Sequence, residues 1–184
     1  AAARRAISAP EGVRPSRVVL CPSRPDLVPD PPHDGVGIEW FADESHIERF
    51  DDWLVGGAGR SAAEGLEATL SGPGQPVVVA DEVVARGADW LAARWADGRD
   101  RLKHMAVAQR AEGLTPQAFS EQWRARAGTV GSPTGRALVI PERARARTYV
   151  QNHPRPAPAG GWPYDAVNEV YFDGARADAD LVLG

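Results

Sequence analysis

The sequence predicts an α+β fold with antiparallel sheets, made of two copies of one unit in tandem, and three observations carry that expectation. Runs of β-branched or alternating residues at 16–21, 37–41, 76–84, 102–110, 147–152 and 165–172 are separated by amphipathic stretches, the pattern of strands interleaved with helices. The segments "DGVGIEWF" from Asp34 and "DAVNEVYF" from Asp165 share an aspartate, a valine two residues on and a closing aromatic–Phe pair, and each follows a strand and a proline-rich loop. After residue 102 the order is strand, helix, strand, strand; before residue 86 it is strand, strand, helix, strand. Laid over each other, the two complete a βαββαβ unit of ferredoxin-like type. On this reading residues 1–96 form a first repeat, incomplete at its start, and residues 97–184 a second, incomplete at its end.

Local signals justify the elements in order. "SRVVLC" and "GIEWF" are the first strands; Asp43 then caps a helix whose Ile47, Phe50 and Leu54 recur at spacings of three and four. Ser61 followed by Glu64 is a capping-box pattern for a further helical piece, with Leu66 and Leu70 on one face. "GADWLAARWADGRDR" is a short amphipathic connector packing through Trp90, Leu91 and Trp95. The best-specified helix is "GLTPQAFSEQWRARAG". Thr115 caps it, Pro116 takes the first helical position, Leu114 staples onto Phe119, Phe119 and Trp123 make the buried face, and Gly128 ends it.

Composition bounds the function. With 184 residues, 43% of them hydrophobic, the chain can bury a core, and a net charge of -4 gives no excess of positive charge to neutralise phosphates or acidic lipid. No apolar run approaches the roughly 18–20 residues of a membrane span, and "AAARRAISAP" lacks the apolar stretch of a signal peptide. These features predict a soluble cytoplasmic protein with no nucleic-acid or membrane partner. Cys21 is the sole cysteine, which excludes an intrachain disulfide and predicts a small core residue. No histidine pair at helical spacing and no glycine-rich phosphate loop follows a strand, so the expectation is no metal and no nucleotide cofactor.

Two segments resemble a known family. "LKHMAVAQRAEGLTPQAFSEQWRARAG" is similar to the opening strand and helix of EthD-domain proteins, and "YDAVNEVYFD" to their third strand; "DGVGIEWFAD" carries a fainter likeness in the first half. The resemblance implies a dimeric α/β-barrel architecture, in which two ferredoxin-like sheets face each other around an apolar cavity, and a homodimer. It also implies a hydrophobic, oxygenated small molecule as ligand. The reactions it brings are cofactor-independent cyclisation, dehydration or decarboxylation of a polyketide-like or phenolic compound in secondary metabolism. A cofactor-free monooxygenase and a non-catalytic ligand-binding accessory protein are the rival readings. Where many members carry W-x-x-H-H-G-P at the end of the first helix, this chain has Trp123, Arg124, Ala125, Arg126, Ala127, Gly128 and Thr129, and Arg126 is either a holder of an anionic oxygen or an exposed arginine at the helix end.

The candidate site is the hairpin "RTYVQNHPRPAPAGGWPYDAVNEVYFD". Strand alternation puts Arg147, Tyr149, Gln151 and His153 on one face, and on the partner strand Asp165, Val167, Glu169 and Tyr171 on one face. If both sets face one cavity, His153 is a general base oriented by Asp165 or Glu169, and Tyr149 or Asn152 binds the developing oxyanion. Glu169, a mid-strand carboxylate, is either exposed or paired with Arg147 or Lys103. His104 lies on a central strand next to Lys103, with the lysine expected to escape to water. Trp162 is placed to lid the cavity. His33 and His46 flank the first copy's motif as a possible second site, against the usual exposure of loop and helix-start histidines.

Overall fold

A computed structural model describes residues 8–31, 33–61, 76–97, 102–126, 146–157 and 159–172, with the backbone of 129–130 and 138–139. The chain divides into two compact units, Ala1–Gly74 and Gln75–Gly184. Its elements are α-helices and antiparallel sheets, so the α+β class holds.

In the first unit, β1 (Arg17–Pro22) and β2 (Gly35–Trp40) form an antiparallel hairpin with Val19 opposite Ile38. Helix α1 (Glu44–Val55) starts where the sequence places it: the Asp43 carboxylate accepts from the His46 N–H. Phe50 is buried, tilted against Phe41 at 5.3 Å and stacked on Trp53 at 5.8 Å. Cys21 is half-buried on β1 rather than in the core. The helical piece read from Ser61 onward lies outside the described residues.

The second unit is a four-stranded antiparallel sheet. Its strands are β3 (Ala80–Arg86), β4 (Lys103–Ala108), β7 (Thr148–Pro154) and β8 (Ala166–Tyr171), in the order β3-β7-β8-β4. The short strands β5 (Thr129–Val130) and β6 (Leu138–Val139) pair separately. Both β4 and β7 run antiparallel to β8, so they are parallel to each other with β8 between them. The α3 helix (Pro116–Ala125) lies in the connection from β4 to β7, which makes a split βαβ arrangement. β3, which the repeat reading assigns to the first copy, adds to the β7 edge of this sheet.

The α2 helix (Ala88–Asp97) packs on one face of the sheet. Leu91 joins Val150 and Tyr171 in the core, flanked by Val84, Trp90 and Trp95. Thr115 caps α3 by accepting from the Ala118 N–H, and Pro116 opens it. The expectation of a buried Phe119–Trp123 face is corrected: no α3 residue is buried, and these stacked rings, 6.1 Å apart, stay half-exposed.

Gly87 joins β3 to α2 with φ of +76°, where a Cβ would lie 2.2 Å from the Arg147 carbonyl oxygen and 2.7 Å from Thr148 Oγ1. Thr148 donates that hydroxyl to the Gly87 carbonyl, fixing the approach. Gly87→Ala is therefore expected to lower unfolding free energy by about 2 kcal/mol or more, read from urea denaturation.

Candidate functional site

The pairing of β7 with β8 sets the geometry. Val150 lies opposite Glu169, and Gln151 opposite Asn168. Directly opposed residues share a face, so Thr148, Val150 and Asn152 stand with Tyr171, Glu169 and Val167, while Tyr149, Gln151 and His153 stand with Asn168 and Val170. The sequence-expected convergence of His153 with Glu169 is thereby corrected: the hairpin's histidine and its mid-strand carboxylate are on opposite faces.

On the α2 face Glu169 is wholly buried. Lys103 Nζ lies 2.5 Å from its Oε2, the Tyr171 hydroxyl donates to the same oxygen at 2.6 Å, and Asn152 Nδ2 donates to Oε1 at 2.9 Å. The Lys103 ammonium also sits 5.3 Å from the Tyr171 ring centroid. Burial alone would raise the Glu169 pKa. The Lys103 charge and the hydrogen bonds from Lys103, Tyr171 and Asn152 outweigh it, and the carboxyl is held below its usual range. Of the two partners read for Glu169, Lys103 is the one found, and the lysine does not escape to water. Asn152 is engaged here, with Glu169 and the Val167 carbonyl, away from the oxyanion role read for it.

On the α3 face the polar groups form one chain. The Gln151 side-chain nitrogen lies 3.1 Å from the Trp123 carbonyl oxygen, at the carboxyl end of α3. A carbonyl only accepts, so that atom is the amide NH2 and Gln151 Oε1 is an acceptor. Facing Oε1 at 3.2 Å, His153 Nε2 must carry the ring proton, which leaves Nδ1 an acceptor for the Ser120 hydroxyl at 2.9 Å. Gln151 also donates to the Tyr149 hydroxyl, Trp123 Nε1 donates there too, and Tyr149 donates onward to Asn168 Oδ1 at 2.7 Å. Every proton from Ser120 to Asn168 points the same way.

His153 is 5% exposed, its ring centroid 4.6 Å from that of Trp123. Burial first, then the positive charge of Arg124, lowers its pKa below 6.5; Asp81, its cross-strand partner on β3, opposes them more weakly. The imidazole is thus neutral at neutral pH.

The end of the sheet where β7 finishes at His153 and Pro154 also carries a cleft of about 430 Å³. Arg110, Leu114, Trp162 and Asp165 are among its lining residues. Asp165 accepts from the Arg110 backbone N–H at 2.9 Å and pairs with its guanidinium, while its own N–H donates to Ala108 O. Arg110 Nε donates to the Leu114 carbonyl. Trp162 is oriented by its Nε1–H on the Arg155 carbonyl at 2.8 Å. Asp165 and Trp162 are thus brought together, with Asp165 committed to Arg110 rather than to His153.

The remaining candidates are dispersed. His104 is half-buried on the Tyr149 side, opposite Val170. Arg126 is an exposed C-cap residue. His46 is buried, with Nδ1 accepting from the Ala42 N–H and Nε2 donating to the Val13 and Arg14 carbonyls, which uses both nitrogens in holding the first unit together. His33 is half-buried in the loop before β2. Among the described residues, no three of His, Cys, Asp and Glu are grouped to hold a metal ion, and no helix is long and apolar enough to cross a membrane.

Sequence reasoning missed Ser120 and Arg110, and placed Gln151 on the His153 face without giving it a role. The signal for Ser120 was its spacing of three from Trp123, which puts both on one side of α3. No family model, no curated protein and no solved structure matches the chain.

Glu169→Gln is expected to cost about 3–5 kcal/mol of stability, because it leaves the Lys103 ammonium buried without its carboxylate; Lys103→Met combined with Glu169→Leu should recover much of that loss. The sign with pH follows from a lowered folded pKa: the Glu169 contribution is complete above about 4.5, the unfolded value, and is lost as pH falls toward the folded one. Urea midpoints of wild type, Glu169→Gln and the double variant across that range check both statements.

Proposed function

We propose that this chain is a small-molecule enzyme that works by acid–base chemistry without a cofactor, with His153 as the general base. The observation that carries this reading is a neutral imidazole, oriented by Gln151 and set against the Trp123 ring. An imidazole of lowered pKa is unprotonated at neutral pH and ready to take a proton. Gln151, not a carboxylate, is its positioning residue.

The substrate class that suits such a base is a hydrophobic, oxygenated compound with an acidic C–H or O–H, polyketide-like or phenolic, undergoing cyclisation, dehydration or decarboxylation. Trp162 and the half-exposed Phe119 and Trp123 offer planar apolar surface to it. The EthD resemblance is part of the same proposal. It is supported by the split βαβ arrangement and by β3, readable as the closing strand of one repeat added to the edge of the next. A tandem ferredoxin-like pair closing into a barrel, homodimeric and cytoplasmic, completes the reading.

Ring opening of nitrobenzisoxazole, a general probe for a positioned base, tests the role of His153. The wild-type rate should rise with pH through a value below 6.5, as the imidazole loses its proton. His153→Gln should lower it by about 10²-fold or more. A His153→Gln protein that folds and matches wild type sinks the proposal.

A further inference from the structure

We infer that Ser120 is a nucleophile activated by His153, and that the site carries acyl transfer from esters of aromatic acids as a second activity. This inference uses the same imidazole as the acid–base reading but assigns it a different reaction. A serine inside a helix ordinarily returns its proton to the carbonyl four residues back. Here Ser120 Oγ is instead 2.9 Å from His153 Nδ1.

The direction of that hydrogen bond is fixed from the far end of the chain. The Trp123 carbonyl demands an N–H from Gln151, the Gln151 oxygen then takes the His153 Nε2 proton, and Nδ1 has only its lone pair to offer the serine. Nucleophile, base and orienting group thus stand in series, each within hydrogen-bond reach of the next, which is the arrangement that makes a hydroxyl reactive. Ser120 itself is half-buried, so an ester can reach it. Phe119 and Trp123, stacked at 6.1 Å, flank it on the same helix and present half-exposed rings to an aromatic acyl group.

The step balances without an outside reagent. Ser120 Oγ bonds to the ester carbonyl carbon as its proton passes to Nδ1; the bond to the leaving oxygen then breaks, and the imidazolium returns the proton to the departing alcohol. Water attacks the acyl-serine with the same imidazole as base, releasing the acid and restoring the hydroxyl.

The test is covalent labelling of the full chain with an aryl fluorophosphonate, in which serine oxygen displaces fluoride, followed by intact-mass measurement and peptide mapping. The expected result is one phosphonyl adduct on Ser120, absent in Ser120→Ala and formed about 10²-fold more slowly in His153→Gln. Para-nitrophenyl benzoate should give a burst of nitrophenol that Ser120→Ala lacks. Ser120→Ala changes a half-buried helix position to a good helix former, so its loss of labelling reads the hydroxyl and not the fold. No adduct, an adduct on another residue, or undiminished labelling in His153→Gln overturns the inference. If wild type opens nitrobenzisoxazole through His153 but takes no adduct, the nucleophile fails while the acid–base reading stands; an adduct on Ser120 without ring opening is the reverse.

Discussion

Val150 opposite Glu169 is the pairing on which the second unit depends. Each β7–β8 pair joins an odd-numbered residue to an even-numbered one. A slip of one residue would turn every β7 side chain to the other face, putting the Val150 side where α3 stands and His153 under α2. Glu169 makes that slip expensive. A carboxylate with no exposed surface is tolerable only where Lys103, Tyr171 and Asn152 all reach it, and Asn152 does so from β7 only in the observed register. A buried ion pair is weak evidence for stability, since its desolvation offsets much of its attraction. As a device for choosing one register among several, however, it is well suited.

The consequence is a division of labour between the two faces. Under α2 the Lys103–Glu169 pair is charged, completed by hydrogen bonds from Tyr171 and Asn152 and packed beside Leu91, Val150 and the rings of Trp90, Trp95 and Tyr171. Under α3 the polar chain from Ser120 to Asn168 is neutral, with Gln151 and His153 buried and Ser120 and Tyr149 half-buried. Proton transfer belongs on the second face, because a neutral chain can change direction without separating buried charge. Gln151 has two roles on the α3 face. It caps the Trp123 carbonyl at the end of α3 and, by doing so, selects the tautomer of His153.

What the sequence revealed depended on the range of the interaction. Thr115, Pro116 and Asp43 act within one helical turn, so their caps were readable residue by residue. Alternation along β7 was equally local, and the grouping of Tyr149, Gln151 and His153 is what the structure has. The grouping of these three with Asp165 and Glu169 was not local. It rests on the phase between two strands, set by the loop from residue 155 to 165 and the ion pair with Lys103, a residue 66 positions away from Glu169. The sequence offers Lys103 either to water or to Glu169, and offers His46 to the surface, because exposure is the common case for lysine and for a helix-start histidine. Both are held inside by partners remote in sequence, Glu169 in one case and the Val13 and Arg14 carbonyls in the other.

The same geometry narrows the chemistry that His153 can serve. Its pKa is lowered, so the base form is always present at neutral pH, but a weaker base gains less from each proton it takes. Two of the three residues read as holders of an anionic oxygen are engaged elsewhere: Tyr149 donates its only proton to Asn168, and Asn152 is bound to Glu169 and Val167 on the opposite face. The negative charge left after proton abstraction is therefore best carried by the substrate itself. Compounds that spread charge over a conjugated carbonyl or an aryl ring, enolisable ketones and phenols, meet that demand, and the aromatic surfaces of Trp123 and Trp162 favour the same compounds. An unactivated C–H acid would need a stronger base than an imidazole of lowered pKa.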